Sequence, residues 1–288
     1  IKNLLSRTDD YRNLKRQSAA ARLVLPGIRG VEKSTSASDY LEYRQIVTAA
    51  ARDDKVFKLF RSHPHYSPIL EHVSRRQGAE YLDIIFRRSN LPENWSKKCA
   101  PLNTLGKPPK YSYASIGRFS PTVLRYLKVF SDLEALFGPL QGFRCVEIGV
   151  GFGGQAAVLN ILGDVTEVQL YDLSPVLALA RKFLAKASVS AGTRFLDGAR
   201  VPQAHQADLL ISNYAFSELT RELQLKYLDK VVLNAPRGYI TWNSNGPGGL
   251  QPEELLKLIP GAKRLEENPK TGQNNVIIVW GTDRDLGI

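Results

Sequence analysis

The chain of 288 residues contains no methionine, an omission improbable by chance, so offsets between motifs are read with a residue of latitude. Cysteine occurs twice, at Cys99 and Cys145. Two thiols argue against a disulfide framework, and the expected setting is reducing and cytoplasmic. No apolar run approaches the roughly 20 residues of a membrane-spanning helix. The first residues carry no signal-peptide core, so no membrane span or export is expected. Acidic residues are scarce where basic ones are not. Residues 1–110 hold 21 Lys and Arg against 11 Asp and Glu, and residues 111–288 hold 18 against 17. The net charge of +11 therefore belongs to the N-terminal third. Its pairs Arg75/Arg76, Arg87/Arg88 and Lys97/Lys98 are scattered, which suits a solvated helical surface at least as well as an anionic partner. Nucleic acid is not the favoured partner.

What is present is ordinary in bulk: 43% hydrophobic and 23% charged residues, enough for one large or two modest domains with a proper core. The informative stretch is Arg144–Gly154, RCVEIGVGFGG, which reads as a buried strand, a glycine-rich turn and the start of a helix. Such a turn lets a ligand lie against bare backbone while the helix N-terminus offers unpaired N–H groups. Gly149, Gly151 and Gly154 satisfy the dinucleotide pattern G-x-G-x-x-G, a weak signal by itself. Glu147 inside the strand makes the pattern E-x-G-x-G through Gly149 and Gly151, with Gly153 following. That opening, and the short stretch left for any further catalytic region, favour S-adenosylmethionine over a nicotinamide cofactor.

The chain then organises itself around this motif. Residues 1–110 read as a mainly helical cap or acceptor region, punctuated towards its end by Pro92, Pro101, Pro108 and Pro109. SPTVLRYLKVFSDLEALFG is a helix opened by Ser-Pro and closed by Gly138. Residues 111–288 read as one α/β domain. RCVEIGV, EVQLYDL, TRFLDG, ADLLISNYA and RGYITWN are strands, and SPVLALARKFLAKA, SELTRELQLKYLDKVVLNA and PEELLKLIP are helices. AKRLEEN and NNVIIVWG, joined by PKTGQ, form a terminal hairpin. The expected fold class is α/β, a Rossmann-like seven-stranded methyltransferase sheet ending in a β-hairpin, with a helical N-terminal region.

In such a sheet ligands sit beyond the carboxyl ends of the strands, so residues just after each strand are the candidates. Asp172, 25 positions after Glu147, can accept from both ribose hydroxyls. Asp197 and Gly198 are placed for the adenine edge. Ser212, Asn213, Tyr214, Ser217 and Glu218 would lie near the methyl group. Glu218 is the first candidate for the base that takes a hydroxyl proton. An Asn-Pro-Pro-Tyr signature, which marks amine methylation, is absent at Asn213-Tyr214, and that favours an oxygen acceptor. Trp242 and Asn243 could form a sugar-stacking wall, and Tyr113 and Arg118, with Tyr111, could fold over the cofactor as a lid. His63, His65 and His72 lie close together without a completing Cys or Asp, so no metal site is expected. His205 falls at the wrong end of the sheet for catalysis.

Taken together, SPTVLRYLKVFSDLEALFG, VEIGVGFGGQAAVL, YDLSPVLALARKFL and SNYAFSELTRELQLKYLDKVV resemble the bacterial sugar O-methyltransferase family over about residues 105–245, most specifically in SNYAFSEL. The resemblance implies S-adenosylmethionine-dependent methylation of a sugar hydroxyl, often in surface-polysaccharide or glycolipid assembly. Three alternatives stand beside it: an RNA methyltransferase gripping phosphates with its basic third, a catalytically silent scaffold of the same fold, and a dinucleotide enzyme.

Overall fold

The computed structural model describes residues 41–189, 192–200, 206–246 and 248–286. It opens with helices α1 (Leu41–Arg52), α2 (Asp54–Phe57), α3 (Ser67–Leu70), α4 (Arg75–Arg88) and α5 (Trp95–Lys98). A small antiparallel ribbon follows, β1 (Tyr111–Tyr113) and β2 (Gly117–Phe119). α6 (Pro121–Phe137) then leads into the α/β part, starting at a proline and stopping at Gly138. Proline costs nothing in a first turn, whose N–H groups have no helical partner, and Gly138, at φ +80°, adopts the backbone that ends the helix.

Seven strands form the main sheet: β3 (Arg144–Ile148), β4 (Glu167–Asp172), β5 (Thr193–Asp197), β6 (Leu209–Asn213), β7 (Gly238–Trp242), β8 (Lys263–Glu266) and β9 (Val276–Trp280). Their order is β5-β4-β3-β6-β7-β9-β8. Pairing is parallel from β5 to β7, while β9 runs antiparallel to both β7 and β8. This is the expected Rossmann-like methyltransferase sheet with a terminal hairpin. The turn of that hairpin is longer than PKTGQ suggested, because pairing stops at Glu266 and Val276. Residues 267–275 are thereby released towards the sheet's carboxyl edge.

Period-two alternation sorts the strands into two cores. Cys145, Leu209, Ile211, Ile277 and Val279 face one side, where they pack with α1, α4, α6, α7 (Gly154–Leu162) and α8 (Ser174–Lys186). Val146, Ile148, Leu210, Ile240 and Ile278 face the other, against α9 (Ala215–Glu218), α10 (Arg221–Lys230) and α11 (Pro252–Leu258). The long helix expected from SELTRELQLKYLDKVVLNA is broken after Glu218, with α10 starting anew behind Thr220. The N-terminal helices share the first core with the sheet, so the boundary at residue 110 separates patterns of sequence rather than hydrophobic cores.

Candidate active site

Strand order reverses between β4-β3 and β6, and a crevice opens where the connections leave in opposite directions. A cavity of about 1010 Å³ occupies it. A single ligand typically fills roughly 300–1,000 Å³, so there is room for a nucleoside-sized cofactor and a second molecule. The floor on one side is the glycine turn. Gly149 (φ +78°) and Gly151 (φ +54°) hold conformations that side chains rarely adopt, and both line the cavity. Gly149 is also a close approach, since a Cβ there would stand 1.9 Å from the Cβ of Ala215.

Asp172, at the end of β4, also lines the cavity. One carboxylate oxygen accepts from the N–H groups of Val150 (2.7 Å) and Gly151 (3.3 Å), and the other from Leu173 N–H (2.7 Å). Asp172 thus braces the glycine turn besides facing the space beside it. Glu147 is buried, one carboxylate oxygen has no partner, and burial first, then the Asp172 charge, pushes its pKa well above the usual range. Gly198 lines the cavity behind β5, held by its N–H to Asp172 O (2.8 Å) and by the Tyr227 hydroxyl donating to its carbonyl (3.0 Å).

The second side is built on β6, β7 and the hairpin turn. Asn213, Tyr214 and Glu218 all line it, with Asn243 opposite. Tyr214 sits at φ +67°, rare for a side-chain-bearing residue, and its hydroxyl donates to Glu267. Strain of this kind persists where surrounding bonds over-determine it. Glu218 accepts from Asn243 Nδ2 at 2.9 Å, and desolvation raises its pKa despite that bond. A carboxyl with elevated pKa, held by a neighbouring amide and open to a cavity, suits proton abstraction from a hydroxyl.

Several of the expected residues lie outside the cavity lining. Trp242 points into the second core, where its Nε1–H donates to Leu250 O at 3.0 Å; strand alternation turns Asn243 to the cavity and Trp242 away from it. Tyr113 and Arg118 belong to the β1–β2 ribbon, outside the cavity lining. Tyr113 packs over Gly78, with its hydroxyl donating to Arg75 O, and Arg118 donates to Lys110 O. Ser212 is fully buried, donating to Ile148 O and accepting from Phe216 N–H, which ties β3 to α9. Gly153 caps α7 against Ala180 and Leu184. Asp197 stands just behind the lining and accepts from Ala199 N–H and Ser174 Oγ. His205 lies outside the described residues.

Other lining residues were invisible in sequence. Tyr43, Ile69, Leu70 and Gln77 come from the N-terminal helices, His72 from the loop between α3 and α4, Arg125 and Tyr126 from α6, and Thr271–Asn275 from the hairpin turn. Asn274-Asn275 beside a turn was the signal available for the last group. Arg125 had none, because it sits mid-helix in an unremarkable apolar pattern. Among the described residues no group of three or more His, Cys, Asp or Glu could hold a metal, and no helix is long and apolar enough to cross a membrane.

No protein-family profile matches the chain, and no curated protein matches it. Solved structures do resemble it. A protein of Galdieria sulphuraria described as a sarcosine dimethylglycine methyltransferase aligns at 18% identity over 42% of this chain and 46% of its own, with a TM-score of 0.37. MtNAS, in complex with MTA and tNA, aligns at 13% identity over 95% and 97%, with a TM-score of 0.44. The mitomycin 7-O-methyltransferase MmcR aligns at 16% over 54% and 56%, with a TM-score of 0.39. This chain spans about half the length of the first of these. Likenesses at this level say nothing of substrate; the topology and the cavity carry the argument.

Proposed function

We propose that the chain is an S-adenosylmethionine-dependent O-methyltransferase acting on a polyhydroxylated, sugar-like acceptor, with the N-terminal helices shaping the acceptor side. The observation that carries this reading is a set of buried polar atoms around one cavity. Among the described residues Glu147 Oε2 and Asn213 Nδ2 have no partner, and both residues line that space. Buried polar atoms left unpaired are costly, so partners are expected from a ligand.

An adenosyl cofactor fits what is offered. Asp172 and the bare backbone of Gly149–Gly151 suit the ribose and the chain linking it to the amino acid, Gly198 lets an adenine edge approach, and Glu147 suits an amino group. When bound, the cofactor supplies an electrophilic methyl group on sulfur. The chain's own residues do the rest. Glu218, steadied by Asn243, receives the acceptor's hydroxyl proton, while the amides of Asn213, Asn243, Asn245 and Asn275 can both donate to and accept from hydroxyls. Positioning of this sort is worth several kcal/mol of barrier, about 7–11 at its best.

Calorimetric titration with S-adenosylhomocysteine, with NAD as control, tests the reading. Micromolar binding of the first and none of the second is expected, weakened by Glu147→Gln. A folded protein that binds NAD, or that binds neither, overturns it.

A further inference from the structure

Three cationic side chains are buried among the described residues: Arg61, Arg125 and Lys128. Two are neutralised in place. Arg61 pairs with Glu71, and Lys128 with Asp132 at 2.6 Å. Arg125 is different. It is 7% exposed, its Nε has no hydrogen-bond partner, and among the described residues it makes no ion pair. The groups that favour its charge are phenols: Tyr126, Tyr214 and Tyr81. The guanidinium carbon lies 5.5 Å from the Tyr126 ring centroid and 5.7 Å from that of Tyr214. Aromatic faces attract a cation, but more weakly than a carboxylate. Arg125 also lines the cavity. A permanent, planar, forked charge is thus aimed into a ligand site with no anion to meet it.

Its place within the cavity says which ligand it awaits. Tyr214 is bonded to Glu267 and Thr271 of the hairpin turn. His72, held below the usual histidine range by desolvation and then by the Arg125 charge, flanks it from the loop between α3 and α4. Through Tyr214 the guanidinium reaches the side of the cavity formed by β6 and the hairpin turn, the half that the cofactor reading leaves for the acceptor. We propose that Arg125 binds an anionic group, a carboxylate or a phosphate, carried by the acceptor, so that the substrate is a sugar acid or sugar phosphate rather than a neutral sugar. This rests on the methyltransferase reading above.

The test uses the protein saturated with S-adenosylhomocysteine and three probes: D-glucuronate, inorganic phosphate and, as the neutral control, D-glucose. Binding is followed by ligand-observed NMR. Glucuronate and phosphate should bind in preference to glucose. Arg125→Gln should weaken both by about tenfold or more, the loss of one charge-assisted hydrogen bond. Arg125→Lys, which keeps the charge and loses the fork, should fall between. S-adenosylhomocysteine itself should bind Arg125→Gln as it binds the wild type. Glucose binding as well as the anions overturns the proposal, and that comparison needs only the wild type. So does anion binding untouched in a folded Arg125→Gln. A variant that loses S-adenosylhomocysteine but keeps methylthioadenosine, which lacks the amino-acid carboxylate, also overturns it by assigning Arg125 to the cofactor. Failure of the wild type to bind S-adenosylhomocysteine is a separate result, and falls on the methyltransferase reading.

Discussion

Gly149→Ala makes the sharpest test of how the glycine turn and the catalytic side are joined. The added Cβ would stand 1.9 Å from the Cβ of Ala215 and 3.4 Å from its Cα. Carbon atoms in good contact sit about 3.5–4.0 Å apart, so one element must move. The backbone at φ +78° adds its own penalty, about 1–2 kcal/mol for a residue with a side chain. Overpacking adds about 1–3 kcal/mol, which brings the expected destabilisation to about 2–5 kcal/mol. Ala215→Gly alone should cost about 0.5–1 kcal/mol. Ala215 begins the short helix that carries Glu218, so relief of the clash should show in the double variant. Gly149→Ala with Ala215→Gly should cost about 1.5–3 kcal/mol, less than the sum of the single changes by about 1–3 kcal/mol. Urea unfolding measures all four proteins, with unchanged m-values as the check that only stability moved. Binding of S-adenosylhomocysteine should be lost in Gly149→Ala and largely return in the double variant. Additivity to within about 0.5 kcal/mol would refute the argument, because the two Cβ atoms would then not be competing for one space.

Glu218→Gln should lower kcat for methyl transfer to a hydroxylated acceptor by about 10²–10⁴-fold while leaving S-adenosylhomocysteine affinity unchanged; an unchanged kcat would remove Glu218 from proton transfer. In the wild type kcat should climb with pH and level off above the ordinary glutamate range, since desolvation raises the Glu218 pKa and the base must be ionised to act. Away from the site, burial pushes Glu134 from 4.5 up to about 7. The folded state therefore holds the proton more tightly, and this group's contribution is full below 4.5 and lost as pH rises through about 7. Urea midpoints of Glu134→Gln should lack that fall, and parallel profiles for variant and wild type would contradict it.

Much of the fold was legible because its signals are local. The central strands announced themselves as short apolar runs bounded by turn residues, and Ser120-Pro121 and Gly138 marked both ends of α6. The break after Glu218 was not legible, since apolar residues continue in helical spacing across Leu219-Thr220. Residues named for their position after a strand fared according to side-chain parity. Asn213, Tyr214 and Asn243 reached the cavity, whereas Trp242 and Ser212 turned inward by the same alternation that makes the strands readable. Tyr113 and Arg118 failed for another reason: nearness along the chain to the α/β part says nothing of where a two-stranded ribbon docks. The acceptor side assembles Tyr43, Gln77, Arg125 and Asn275, far apart in sequence, and no local pattern can bring such residues together.

The charge of the N-terminal third now acquires a different meaning. Its excess of basic residues invited a reading in which that region steers an anionic polymer to the site. Among the described residues, the cavity wall does not draw on it. Tyr43, Pro68, Ile69, Leu70, His72 and Gln77 are the lining residues among 41–110, none is Lys or Arg, and His72 is held towards its neutral form. The lining cations are Arg125 and Lys226, one from the helix before the first strand of the main sheet and one from α10. Against them stand Glu147, Asp172, Glu218 and Glu222. A wall whose two described cations stand among carboxyls offers a phosphate chain no basic track, yet a single buried guanidinium among tyrosines can still receive one small anion. That combination suits a compact acceptor with one charged group, and it weighs against an RNA strand threaded along the cavity.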